Sequence, residues 1–235
     1  MIITTLNNTF LSPFNAKLID RQFTSHEVVN VNDWLEGSHK PIFFREYSRY
    51  KNLSLTFLIN AGTDATMESN FSALVEFFKF ATIKFEDMDK YFDVHLEGTT
   101  SLEKLKDGVA KFTVDLLCHK TYGLEKITHV SNVVNVNLMN WGDMKAPINI
   151  EITPLATVSQ LEIQGLTKLP LKLNYLNVGN VYLVDSVNYK YTNNGINEIF
   201  NFDSFEFPFL PKDGANVMLS DPNVDIKFIY QPRFN

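Results

Sequence analysis

Leu53, Leu55, Phe57 and Ile59 alternate with Ser54, Thr56 and Asn60. A period of two is that of a strand with one buried face, because successive side chains point to opposite sides of a pleated backbone. The same period returns in Ala110, Phe112, Val114 and Leu116, in Ile148, Ile150 and Ile152, in Leu171, Leu173 and Tyr175, and in Val224, Ile226, Phe228 and Tyr230. So much alternation, punctuated by turn formers, limits the fold to a mainly β architecture. At 235 residues the chain holds one large β domain or two of about 100–125 residues.

One stretch departs from this period. Phe71, Leu74, Val75 and Phe78 stand at i, i+3, i+4 and i+7, which is one apolar helix face. The spacing predicts a helix at about 67–79, with Thr66 as N-cap and Glu68 near the positive end of the dipole. TIKFED and YFDVHLEG, joined by Met88–Lys90, read as a hairpin. The pattern lapses over TYGLEKITHVSN, so the boundary is placed at about 121–131: an N-terminal β domain over 1–125 and a β-sandwich over 131–235. Asn194-Gly195 is the sharpest turn signal in the chain, since both residues tolerate positive φ.

No chemistry is legible. GxSxG, GxxxxGK[ST] and GxGxxG are absent, and the carboxylates Glu86, Asp87 and Asp89 read as a solvated turn. His26, His39, His95, His119 and His129 lack any local spacing that puts two imidazoles on one face, so no metal ligand is assigned. Cys118 is the single cysteine. It and His119 point to opposite faces of a strand and cannot form an activated pair, so it reads as a buried hydrophobe. A net charge of −6 argues against nucleic-acid binding through the overall field. No apolar run reaches the ~20 residues of a membrane span, and MIITTLNNTF lacks the basic and apolar regions of a secretory signal. Neither an enzyme nor a cofactor is expected. Trp34, Trp141, Tyr189 and Tyr191 remain as candidates for a sugar or partner contact, against core packing as the plainer role.

The most distinctive block is the last. A strand ends at Asp185, a turn falls at Asn193–Gly195, and then FPFLPKDGAN leads into a closing strand and Tyr-Gln-Pro-Arg-Phe. This resembles the end of the distal tail proteins (Dit) of long-tailed, non-contractile bacteriophages and the related phage tail family. There a Phe-Pro-x-Leu-x-Pro-Gly-x-Asn pattern precedes the closing strand and a Pro-Arg-aromatic end. The matching positions are Phe207, Pro208, Leu210, Pro211, Gly214, Asn216, Pro232 and Arg233, while Lys212-Asp213-Gly214 departs from the family's Pro-Gly. Upstream, WGDMKAPINIEI resembles the opening of the family's second domain. FFREYSRYKNLSLTFLIN, TMESNFSALVEFF and IKFEDMDKYFDVHLEG follow its N-terminal order of strand, helix and hairpin.

The resemblance implies a galectin-like C-terminal sandwich and a structural virion protein. Six copies would form a ring at the tail tip, joining the tail tube protein to the baseplate or a tail hub protein. The N-terminal domain would build the ring, and the sandwich would face outward and carry receptor-binding protein or side fibres. Synthesis and assembly would take place in the host cytoplasm. The alternative is a carbohydrate-binding module contacting host cell-wall polysaccharide. Within FPFLPKDGAN, Pro208 and Pro211 stiffen the backbone, and Phe209 or Leu210 is expected to pack on the sandwich.

Overall fold

In a computed structural model describing residues 3–6, 8–24, 28–33, 42–48, 50–98 and 100–235, the alternating run at 53–59 lies within a ten-residue strand whose apolar positions are almost completely buried. The chain divides into two units, Met1–Thr121 with Asn235, and Tyr122–Phe234.

Unit 1 runs β1 (Ile3–Leu6), α1 (Asn8–Leu11, one turn), β2 (Ala16–Phe23), β3 (Val28–Asp33), β4 (Ile42–Ser48), β5 (Lys51–Asn60), α2 (Asp64–Phe78), β6 (Phe80–Phe85), β7 (Tyr91–Leu96), β8 (Leu102–Lys106) and β9 (Val109–Tyr122). Among the described residues the main sheet has the order β1-β6-β7-β9-β5-β2, with β8 also on β9, and β3 pairs with β4 separately. β5 and β9 are antiparallel with Leu55 opposite Val114 and Phe57 opposite Phe112, so two apolar rows coincide on one face. α2 covers that face. Phe78 packs 5.6 Å from Phe57, Phe71 meets Phe112 edge-on at 5.1 Å, and Met67, Leu74 and Phe78 are buried.

The helix starts earlier than 67 and its cap is Thr63, not Thr66. Thr63 is extended (φ −135°, ψ 154°) and its side chain accepts a hydrogen bond from Thr66 N, which is the geometry of an N-cap. Asp64 then occupies the first turn, accepting from Gly108 N at 2.8 Å and from Lys104 Nζ at 2.5 Å. These bonds, the backbone one foremost, hold its carboxyl below the ordinary value.

Unit 2 runs β10 (Lys126–Ser131), β11 (Asn135–Leu138), β12 (Ala146–Pro154), β13 (Val158–Gln164), β14 (Leu171–Leu176), β15 (Tyr182–Asp185), β16 (Lys190–Asn193), β17 (Ile196–Asn197), β18 (Phe202–Asp203), β19 (Phe209–Leu210), β20 (Ala215–Leu219) and β21 (Val224–Tyr230). One sheet has the order β10-β21-β12-β15-β16-β17, with β19 on β12; the other has the order β11-β20-β13-β14-β18. Both contribute to a single core, including Ile148, Ile150, Ile152 and Phe228 from the first and Leu161, Ile163, Leu173 and Val217 from the second, so the unit is a sandwich.

Two sequence expectations change here. The stretch 121–131 is not a linker throughout: β9 continues to Tyr122, and Lys126–Ser131 forms β10, paired along its length with β21. Its polarity is that of an edge strand with one partner. Tyr175 does not continue the buried row of Leu171 and Leu173. Its left-handed backbone (φ 59°) turns the ring to solvent and puts Leu176 in the core. At Asn194-Gly195, both residues have positive φ (48° and 82°) between the paired Asn193 and Ile196, the primed hairpin turn that the dipeptide favours.

Candidate functional site

Four of the family-marker residues, Leu210, Pro211, Gly214 and Arg233, meet one segment, 138–147, which leads into β12. β19 lies along the start of β12, with Leu210 opposite Ala146 and Phe209 opposite Pro147. Pro208 O accepts from Ile148 N at 3.3 Å, and Phe209 N donates to Leu166 O at 3.2 Å. Leu210 is buried in the core, while Phe209 is half-buried under Lys145, whose Nζ sits 5.4 Å from its ring. Leu210 is therefore the packing residue, and it pins β12. Phe207 is half-buried between Tyr189 (5.5 Å, edge-on) and Phe202 (5.1 Å).

Around the following turn, Pro211 O accepts from Gly214 N at 3.1 Å and from Asn140 Nδ2 at 3.0 Å. Gly214 has φ 82°, and a Cβ there would lie 2.3 Å from Leu138 O; only glycine satisfies both constraints. Asn216 lies opposite Asn137 in β20 and β11.

The chain's end closes on the same segment. Arg233 O accepts from Asp143 N (3.1 Å) and Met144 N (3.2 Å), and Pro232 O accepts from Gly123 N (2.8 Å). Gly142 is required by proximity alone, since a Cβ would lie 2.3 Å from Arg233 O. Burial draws the Arg233 guanidinium below its ordinary value, with Tyr189 acting in the opposite direction. Two residues that sequence reasoning did not single out hold this junction. Tyr230 donates through its hydroxyl to Met139 O (2.6 Å) and accepts from Trp141 N (3.4 Å). Asn140 spans Pro211 O, Met144 O and Gly142 N. The signals were present as a WGD turn and a strand-ending tyrosine, but neither names its distant partner.

Of the described aromatic candidates, two are exposed and one is buried. Trp141 is exposed, with Lys126 Nζ 5.6 Å from its ring. Tyr189 is also exposed. Tyr191 is fully buried, stacked between Tyr182 (6.1 Å) and Phe202 (5.6 Å), and so offers no contact to a sugar or partner. It alternates inward on β16, in the core-packing role that is the plainer of its two readings. Burial raises its hydroxyl pKa well above the ordinary value. Trp34, His26 and His39 lie outside the described residues.

Among the described residues, no three His, Cys, Asp or Glu side chains converge as metal ligands. Asp87 is held by Arg21, Nη1 to Oδ1 at 2.7 Å, and Lys84 Nζ lies 3.6 Å from Asp89, so two of the three carboxylates at 86–89 stand in ion pairs. His129 bonds Asp225 at 2.7 Å. A depression of about 360 Å³ in unit 2 is lined by Glu162, Leu169, Lys172, Asp203, Phe205 and Glu206. One of about 530 Å³ in unit 1 is lined by Phe23, Thr24, Lys51, Met88 and Phe92. In the first of these, Lys172 Nζ lies 3.3 Å from Glu162; elsewhere the second unit presents a clamped scaffold with exposed aromatic rings.

A mainly β chain of two units, one crossed by a helix and the other a sandwich with a clamped closing strand, is an architecture with a counterpart among solved phage structures. In particular, it has the fold of Dit from phage SPP1, described as a paradigm of the hub adsorption apparatus in phages infecting Gram-positive bacteria. The two match with a TM-score of 0.79 and 15% identity over 94% of this chain and 94% of that one. A chain of the phage P2 baseplate in its activated conformation with Ca aligns with 10% identity over 92% of this chain and 90% of that chain, at a TM-score of 0.47. No family model and no curated protein matches the sequence.

Proposed function

We propose that this chain is a structural protein of a phage tail tip, a distal tail protein that acts as an assembly hub. The observation that carries the reading is the shared fold with SPP1 Dit along 94% of both chains. Six copies form a ring through a head-to-tail contact that closes by rotation. Unit 1 builds the ring between the tail tube protein and the tail hub protein. Unit 2, as a galectin-like domain, faces outward and carries receptor-binding protein or side fibres. Synthesis and assembly take place in the host cytoplasm, and the finished chain resides at the virion tail tip. Phe200 and Phe205 are 99% and 96% exposed on unit 2, which suits a surface covered on assembly. The chain's part is mechanical connection, without catalysis.

Electron microscopy of tail tips, with this chain labelled, tests the reading. A six-fold ring containing the label is expected; an ordered tip lacking the chain refutes it. A carbohydrate-binding role rests on exposed Trp141 and Tyr189. It predicts binding to host wall polysaccharide that is lost in Trp141→Ala, and flat titrations remove it.

A further inference from the structure

Sheet pairing in unit 1 brings together two imidazoles that no local spacing announces. β7 and β9 are neighbours, and the rings of His95 and His119 stand 5.6 Å apart between centroids, inclined at 41°. His119 is exposed and His95 half-buried. The His95 ring is confined on two sides, by Phe80 stacked at 6.2 Å and by Tyr50 edge-on at 6.1 Å. A ring held in this way loses little freedom on acquiring a ligand. Cys118, next to His119, belongs to the core on the other face, so its thiol takes no part.

Neutral imidazole is the preferred protein ligand of borderline divalent transition metals. Such an ion lies about 2.1 Å from each ligating nitrogen and about 3.2 Å from each ring centre, so two rings on one tetrahedral ion stand about 5.2 Å apart. The observed 5.6 Å is reached from that value by a small rotation of the exposed His119 side chain. We propose that His95 and His119 form a two-imidazole site for a borderline divalent transition metal on the sheet face opposite the core of unit 1. Among the described residues no further side chain completes the set, so water fills the other positions and the site is open. Affinity follows the order for nitrogen ligands, with Cu²⁺ above Ni²⁺ and Zn²⁺. Ca²⁺ and Mg²⁺, which require oxygen ligands, are excluded.

The test is calorimetric titration of Cu²⁺, Ni²⁺, Zn²⁺ and Ca²⁺ into the full chain without an affinity tag, paired with electron paramagnetic resonance of the Cu²⁺ form. One equivalent of Cu²⁺ with hyperfine structure from two nitrogens is expected. Affinity should weaken by at least ~10-fold in both His95→Ala and His119→Ala, stay unchanged in His129→Ala, and be absent for Ca²⁺. The spectrum of the unaltered chain keeps the test valid if a variant misfolds, and His119→Asn repeats the β9 substitution with a polar side chain. Wild-type affinity in either alanine variant whose circular dichroism is native, a one-nitrogen spectrum, or binding only at millimolar metal overturns the proposal.

Discussion

Replacing Leu210 with alanine removes the side chain through which FPFLPKDGAN holds the second unit together. Leu210 is completely buried, opposite Ala146 on a strand only two residues long. Loss of three buried carbons at about 0.8 kcal/mol each gives about 2.4 kcal/mol. A residual cavity adds up to about 1.8 kcal/mol if the ~75 Å³ vacated does not collapse, at about 24 cal/mol per Å³. Because β19 is only two residues long, partial collapse is expected, and the net cost is about 3 kcal/mol. With a urea slope of about 1.5 kcal/mol per M, the midpoint falls by about 2 M. The assay is urea unfolding of the full chain with hydrogen exchange read on peptides from β12 and β19, which separates the second unit from the first. Phe209→Ala is the internal comparison: its half-exposed ring, under Lys145, costs below about 1.5 kcal/mol. A Leu210→Ala loss under about 1 kcal/mol, or a larger loss in Phe209→Ala, refutes the pinning role.

Gly142→Ala forces a Cβ to within 2.3 Å of Arg233 O. Displacing that carbonyl breaks the bonds from Asp143 N and Met144 N, at about 2–3 kcal/mol in all; unchanged exchange at 142–144 would contradict this. Thr63→Ala costs about 1 kcal/mol through loss of the α2 cap, whereas Thr66→Ala costs less than about 0.5 kcal/mol. Equal effects on unit 1 unfolding would restore Thr66 as the cap. The hydroxyls of Tyr191 and Tyr230 both have pKa values raised, in each case mainly by burial. Their contribution is whole below the unfolded tyrosine value of about 10 and is lost as pH rises through the folded values. Urea midpoints of the second unit should therefore hold up to about pH 10 and fall progressively above it, less so in Tyr191→Phe; a flat profile above about pH 10 would show that burial does not set these values.

The strands were legible wherever one face is buried, because the period of two follows from the pleat itself. Leu53 to Ile59 needed nothing else. Tyr175 was misread because a single left-handed residue inverts the alternation without leaving a compositional trace. β10 was taken for linker because an edge strand carries only half the apolar signal of a central one. The helix was legible from Phe71, Leu74 and Phe78, but Thr63 and Thr66 offer the same hydroxyl, and only backbone geometry decides which one caps. The clamp on 138–147 was half visible: the prolines and glycines of 207–216 marked a constraint, and their partners at Asn140, Gly142 and Tyr230 depend on long-range pairing. For the same reason, His95 and His119 looked unrelated until β7 and β9 were adjacent.

β21 lies between β10 and β12, yet it is the last strand of its unit along the chain. Its partners Ile150 (opposite Phe228) and Lys126 (opposite Tyr230) are made about 80 and about 100 positions earlier, a delay of about 4–20 s at ribosomal rates of about 5–20 residues per second. Throughout that interval β12 shows an open edge beside three isoleucines destined for the core. Two large loops must also close at a single late step, which places the unit among slow, high-contact-order folders. Until β21 is made, that waiting edge is the unpaired strand at which two nascent chains would first mispair.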